Sequence, residues 1–256
     1  AGGNTKAYGW LELPAATTGE NLITNTYKVS GARNYTHLYD KSMYTSMWTA
    51  YPVYQSAIGS GRSADWKANP SIDEQYQINI WDGSYDGGTT YSRGHLIPNG
   101  SRNGISEMQK QTFYATNSVP QRQNKFNGTI WSNLENAVRG LVSSASDTVY
   151  VVTGVAFQKK GASETVKWIT PKKDTKQCPV PNYFYKVVLK VKRDSSGQIT
   201  SASTAGIWME HRDYAKSEEY TNFAVSVDQI EEWTGFDFFA NLPESLQTTA
   251  ETNTSW

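Results

Sequence analysis

Hydrophobic and polar positions along the chain fall into short blocks of two different periods. Residues 1–32, with Gly, Thr and Asn throughout, hold to neither period and predict an irregular or short-stranded extension. Residues 47–54 are aromatic and β-favouring and predict a strand. From 55 to 92 the chain is polar, with a turn signal at Tyr85-Asp86-Gly87-Gly88. A loop this long without periodicity usually carries function. Residues 106–117 predict a helix with Ile105, Met108, Thr112 and Phe113 on one side. The clearest helical pattern spans 124–142, where Ile130, Trp131, Leu134, Ala137, Val138 and Leu141 build one apolar face. Residues 148–154 form a continuous β-branched run that predicts a buried strand ended by Gly154. Residues 184–191 predict another strand, closed by the turn Asp194-Ser195-Ser196-Gly197, and 205–209 a further one. Residues 226–236 predict a short helix and 244–256 a polar tail. No repeat or linker interrupts this order, so the pattern predicts one α+β domain over 33–243, with a mixed central sheet flanked by helices.

Composition narrows the class. Charged residues make up 19% of the 256 and aromatics 13%, a balance of folded rather than disordered chains. No stretch approaches the roughly 18 apolar residues of a membrane span. The single cysteine, Cys178, excludes an internal disulfide and lies in no nucleophile signature. A start at Ala1-Gly2-Gly3-Asn4 without Met, and a surface vocabulary of Thr, Ser, Asn, Tyr and Gly, suit a secreted or periplasmic chain whose signal has been removed. Lys and Arg number 24, as do Asp and Glu, which rules out a uniformly basic coat. The charge is nonetheless segregated. Within 91–140, Arg93, Arg102, Lys110, Arg122, Lys125 and Arg139 outnumber Glu107 and Glu135, whereas 217–256 holds eight acids and no base. A polyanion would bind the basic middle; ordinary clustering of solvated charge explains the asymmetry as well.

Three histidines differ in setting. His37 and His211 have no metal-spaced partner and read as structural. His95 follows the Gly-rich loop in Tyr91-Ser92-Arg93-Gly94-His95-Leu96-Ile97-Pro98, where an Arg, a Gly and a His offer a phosphate clamp, close backbone approach and a general base. On the predicted helix, Asn127, Trp131, Glu135 and Arg139 recur every four residues and predict a drifting stripe along one flank. Amide and carboxylate oxygens suit a hard ion such as Mg²⁺, and a guanidinium grips phosphate. The same spacing also suits a plain surface helix with a Glu135–Arg139 pair.

Taken in order, Arg93-Gly94-His95-Leu96-Ile97-Pro98, Asn117-Ser118-Val119-Pro120-Gln121 and the Asn127, Trp131, Glu135, Arg139 series resemble the DNA/RNA non-specific endonuclease family. Trp48-Thr49-Ala50-Tyr51, Val152-Thr153-Gly154, the segment 181–188 and Trp233-Thr234-Gly235-Phe236-Asp237-Phe238-Phe239 extend the likeness across roughly 33–243. The resemblance implies a ββα-metal (His-Me finger) site and sequence-independent hydrolysis of DNA or RNA to 5′-phosphate and 3′-hydroxyl ends. It implies His95 as general base, Asn127 as ligand of one Mg²⁺ (Mn²⁺ or another divalent ion substituting), Glu135 orienting a water of that ion, and Arg93, Arg139 and Arg62 on phosphate. Arg93, Arg102, Arg122, Lys125 and Arg139 would make up the nucleic-acid surface. Two departures stand out: Ser92 replaces the family's usual Asp, and a longer gap after Asn117 leaves Asn124 as an alternative to Asn127. Two other readings fit parts of the pattern. One is an inactive or narrowly specific nuclease relative. The other is an aromatic-rich glycan-binding module presenting Trp48, Trp66, Trp81 and Trp168.

Overall fold

The computed structural model describes residues 8–62 and 64–255. Its centre is a seven-stranded sheet in the order β1-β2-β3-β6-β9-β10-β11. The strands are β1 (Leu22–Val29), β2 (Ala32–Asp40), β3 (Thr45–Tyr54), β6 (Thr148–Ala156), β9 (Tyr183–Arg193), β10 (Ile199–Glu210) and β11 (Ala224–Val225). The α+β class holds, but every neighbouring pair is antiparallel, so the sheet is not mixed. Short reversals at Ser30-Gly31, at 41–44 and at 194–198 join consecutive strands, and so tight a return permits only antiparallel pairing.

The predicted strands appear with longer ends. Within the extension expected to be irregular or short-stranded, residues 22–29 form the edge strand β1; residues 1–7 lie outside the described residues. The tail at 244–256 likewise contains a helix, α4 (Glu244–Ala250), with Ala250 buried. Thr204 Oγ1 donates to the Ala250 carbonyl, which fixes this helix on β10.

Side chains of the central strands alternate between two cores. Val151 and Val155 of β6 and Phe184 and Val188 of β9 join the core that also holds Phe126, Trp131, Leu134 and Val138. Val152, Tyr185, Val187 and Leu189 face the other way, against Val227 and Ile230 of α3 (Val227–Thr234) and Phe238, Phe239 and Leu242. Burial on both faces is why these strands read as nearly unbroken apolar runs. Ser226 caps α3 by accepting from the Gln229 N–H, and Gly235 ends it at a φ of 79°.

Two insertions stand on the first face. The hairpin of β4 (Tyr91–His95) and β5 (Ser118–Arg122) is separated in sequence by α1 (Ser106–Thr112). A two-stranded ribbon, β7 (Lys167–Ile169) with β8 (Cys178–Val180), lies beside it. The long polar loop covers a small core of Trp66, Ile78, Ile80, Tyr85, Tyr91, Phe113 and the buried Cys178. Residues 123–140 do not form one regular helix. Gln123–Trp131 is π-helical, with Lys125 outside helical geometry at φ −122° and ψ 17°, and α2 (Ser132–Gly140) follows. No helix among the described residues is long and apolar enough to cross a membrane.

Candidate active site

His95 ends β4 opposite Ser118, at the rim of the small core. Its ring lies 4.5 Å from the Trp66 ring and meets Phe113 edge-on at 4.8 Å. Nε2 is buried and has no hydrogen-bond partner among the described residues. Burial, then the Arg62 and Arg93 guanidiniums, push the pKa of His95 down to about 3, so the ring is neutral. The other two histidines are fully engaged. His37 bonds Tyr27 and Ser46. His211 accepts from the Arg122 N–H at Nε2, and its Nδ1 lies 2.8 Å from the Pro181 carbonyl. These two are structural, as their sequence settings predict.

Arg93 donates to the Ile80 carbonyl and lies 5.8 Å from the Trp66 ring centre. Arg62 covers the Phe113 ring at 4.6 Å. Both therefore stand beside His95. Gly94 is required between Arg93 and His95: a Cβ there would lie 2.3 Å from Gln121 Oε1.

The hairpin meets the π-helical turn through Ser92. Asn127 Nδ2 donates to Ser92 Oγ and to Gln123 Oε1, each at 3.1 Å. Ser92 Oγ in turn donates to the Gln121 carbonyl. Both amide hydrogens of Asn127 are thus used, and Oδ1 accepts no hydrogen bond among the described residues. Asn124 is exposed and lines a different cleft with Lys125, Tyr214 and Lys216. The position that departs from the usual Asp is therefore the one that orients the Asn127 amide.

Within the expected four-residue stripe, Trp131 is fully buried, stacked on Phe126, and borders Glu135. Glu135 and Arg139 continue on α2, where ordinary helical spacing resumes. Arg139 donates to Asn136, while its Nη1 is buried without a partner among the described residues. Its guanidinium lies where a Cβ on Gly100 would stand. Burial raises the pKa of Glu135, and Lys186 and Arg139 draw it back down.

Lys186 was not singled out by sequence. It is buried on β9, donates to Thr153 at 2.6 Å and Tyr51 at 3.2 Å, and sits 4.9 Å from the Trp131 ring centre. Burial lowers its pKa, and Glu135 opposes that shift. The available signal was alternation: Phe184, Lys186 and Val188 share one face of a buried strand, and a lysine there demands a reason.

The expected nucleic-acid surface needs one correction. Arg102 is 0% exposed and donates to Asn34, Ser101 and Pro52, so it braces the core and cannot meet a polyanion. Arg122 is half-exposed and paired with Asp213, and Lys125 is exposed. Among the tryptophans, Trp48 and Trp66 are buried and only Trp168 is exposed among the large hydrophobics named for the platform, so the four do not form an aromatic stacking surface.

A neutral imidazole beside two guanidiniums thus stands on the same strand as the serine that holds the Asn127 amide. Residues 18–245 match the DNA/RNA non-specific endonuclease family, and the chain belongs to that family. A nuclease of Nostoc is 27% identical, covering 94% of this chain and 83% of its own. The nuclease of Serratia marcescens is 26% identical over 78% of this chain and 70% of its own. A mitochondrial nuclease of Schizosaccharomyces pombe is 28% identical over 82% of this chain, which spans only 65% of that protein. The fold is shared with a chain of the EndoG/EndoGI crystal structure, at a TM-score of 0.72 and 22% identity, over 89% of this chain and 91% of that one.

Proposed function

We propose that this chain is a divalent-metal-dependent endonuclease that cuts DNA and RNA without sequence preference. The observation that carries the reading is the Asn127 amide, whose N–H groups are tied to Ser92 and Gln123 while Oδ1 remains open beside the strand that ends at His95. An oxygen so oriented fits a hard cation such as Mg²⁺. When bound there, such an ion would neutralise charge on the scissile phosphate.

The chain's own groups do the rest. His95 is neutral and can accept a proton. Nε2 is buried out of reach of water, so the lone pair offered to the attacking water is that of Nδ1. The water oxygen bonds to phosphorus as the bond to the 3′-oxygen breaks, and the 3′-oxygen takes a proton from solvent, leaving 5′-phosphate and 3′-hydroxyl ends. Glu135 accepts hydrogen bonds from water in the cleft and orients it. Arg93 and Arg62 grip phosphate oxygens beside His95, and the half-buried Arg139 guanidinium takes another. None of these contacts reads a base edge, which supports sequence-independent cutting.

Incubation with supercoiled plasmid and with a structured RNA, with and without chelator, tests the proposal. The expected result is Mg²⁺-dependent nicking of the plasmid and breakdown of the RNA, abolished by chelator, with 5′ ends that a phosphatase must treat before kinase labelling. Cleavage undiminished in chelator would contradict it, as would an intact plasmid in Mg²⁺ and Mn²⁺.

A further inference from the structure

The acidic C-terminal region, which the proposed nuclease chemistry leaves unused, converges three carboxylates. Asp228 lies in the first turn of α3, Glu231 one turn later, and Glu251 directly after α4. One carboxylate oxygen from each lies within 4.8 Å of the other two. The three grade inward, from exposed Asp228 through half-buried Glu231 to Glu251, which is 6% exposed.

Two features separate this cluster from ordinary surface acidity. Glu251 Oε1 is buried and has no hydrogen-bond partner among the described residues, and the same carboxylate converges on the other two. A buried carboxylate without a partner is costly. None of the three takes part in an ion pair among the described residues. The charges that act on Glu251 are those of Glu231, Asp228 and Asp237, all of the same sign. The backbone is meanwhile firm. The Asp228 N–H donates to the Glu251 carbonyl, and the Phe238 N–H donates to Glu231 Oε1.

We propose that Asp228, Glu231 and Glu251 hold one Ca²⁺-like divalent cation, distinct from the Asn127 site and serving to clamp α4 to α3. Two oxygens on one Ca²⁺ stand at most about 4.8 Å apart, twice a bond of about 2.4 Å, a bound that the three oxygens satisfy. Ca²⁺ is favoured over Mg²⁺ because it accepts irregular carboxylate sets and completes its shell with water on the exposed Asp228 side.

Equilibrium dialysis with radioactive Ca²⁺ at pH 8 tests the site on the full chain, with no reliance on nuclease activity. Asn127→Ala protein, in which the proposed nuclease site is disabled, is expected to bind one Ca²⁺. Adding Glu251→Gln or Glu231→Gln to it is expected to weaken binding by about tenfold or more. Melting gives a second sign test. In chelator at pH 8, Glu251→Gln should melt at or above the wild-type temperature, because a like charge is removed. With Ca²⁺, the wild-type Tm should rise and that of the variant should not. Absence of Ca²⁺ binding in Asn127→Ala protein, or binding unaffected by Glu251→Gln, overturns the proposal. If Glu251→Gln fails to fold, the exposed Asp228→Asn carries the same test with the same two outcomes.

Discussion

A histidine ring caught between Trp66 and Phe113, with Arg62 and Arg93 beside it, pays a penalty for becoming charged. Its folded pKa lies below the unfolded value of 6.5. The sign follows: the folded protein resists a proton that the unfolded chain accepts, so this stability is complete above about pH 6.5 and is lost as pH falls toward 3. An NMR titration of the His95 ring in nucleic-acid-free protein should show it neutral at pH 5, and Arg62→Ala should move its midpoint upward. A midpoint at or above 6.5 would contradict this electrostatic picture. The residue itself was legible in sequence because Arg93, Gly94 and His95 are consecutive. Its Trp66 neighbour was not singled out as part of the site, because 29 positions separate the two and only tertiary packing joins them.

At the scale of elements, the sheet reaches into the site through Lys186. This lysine links β9 to β3 and β6 by Tyr51 and Thr153, and its charge lies under Trp131 near Glu135. Lys186→Met removes the strongest influence lowering the Glu135 pKa. The acidic limb of the cleavage pH profile should therefore move to higher pH, with activity recovering as pH rises. An unshifted profile in a folded variant would disconnect Lys186 from the site. Strands were easier to read than helices here. The β-branched runs of β6 and β9 are local facts, whereas the π-helical stretch at 123–131 has no periodic signature in the sequence. The spacing still placed Trp131 both on the apolar face and beside Glu135, and it is core and borders that carboxylate. The β1–β2 hairpin escaped notice because its strands mix polar side chains with core tyrosines.

Across the whole molecule, charge and sheet face coincide. The π-helical turn, α2 and the β4–β5 hairpin share one face, while α3 packs on the other. Asp228 and Glu231 of α3 thus stand on the opposite side of the sheet, whereas Glu218 pairs with Arg212 and lines the cleft of Lys125. Counterion release should make the affinity of metal-free His95→Ala protein for duplex DNA fall steeply with salt. Arg139→Ala should weaken that affinity similarly for unrelated sequences. Arg102→Met should instead lower stability, since it strips hydrogen bonds from Asn34 and Pro52. Filter binding across a salt series, with thermal melts of both variants, checks all three. Salt-independent affinity would contradict a phosphate-led interface. Sequence placed Arg102 in that interface because local charge does not reveal burial.

The central claim is that His95 supplies the base and Asn127 the metal ligand. Its most direct measurement is the initial rate of plasmid nicking across a Mg²⁺ titration for wild type, His95→Ala, Asn127→Ala and Asn124→Ala, each shown to be folded. His95→Ala should lose activity by about 10²-fold or more at every Mg²⁺ concentration. Asn127→Ala should need far more Mg²⁺ and remain slow, and Asn124→Ala should stay near wild type. A folded His95→Ala protein that nicks at close to the wild-type rate, or an Asn124→Ala variant more impaired than Asn127→Ala, would contradict the account.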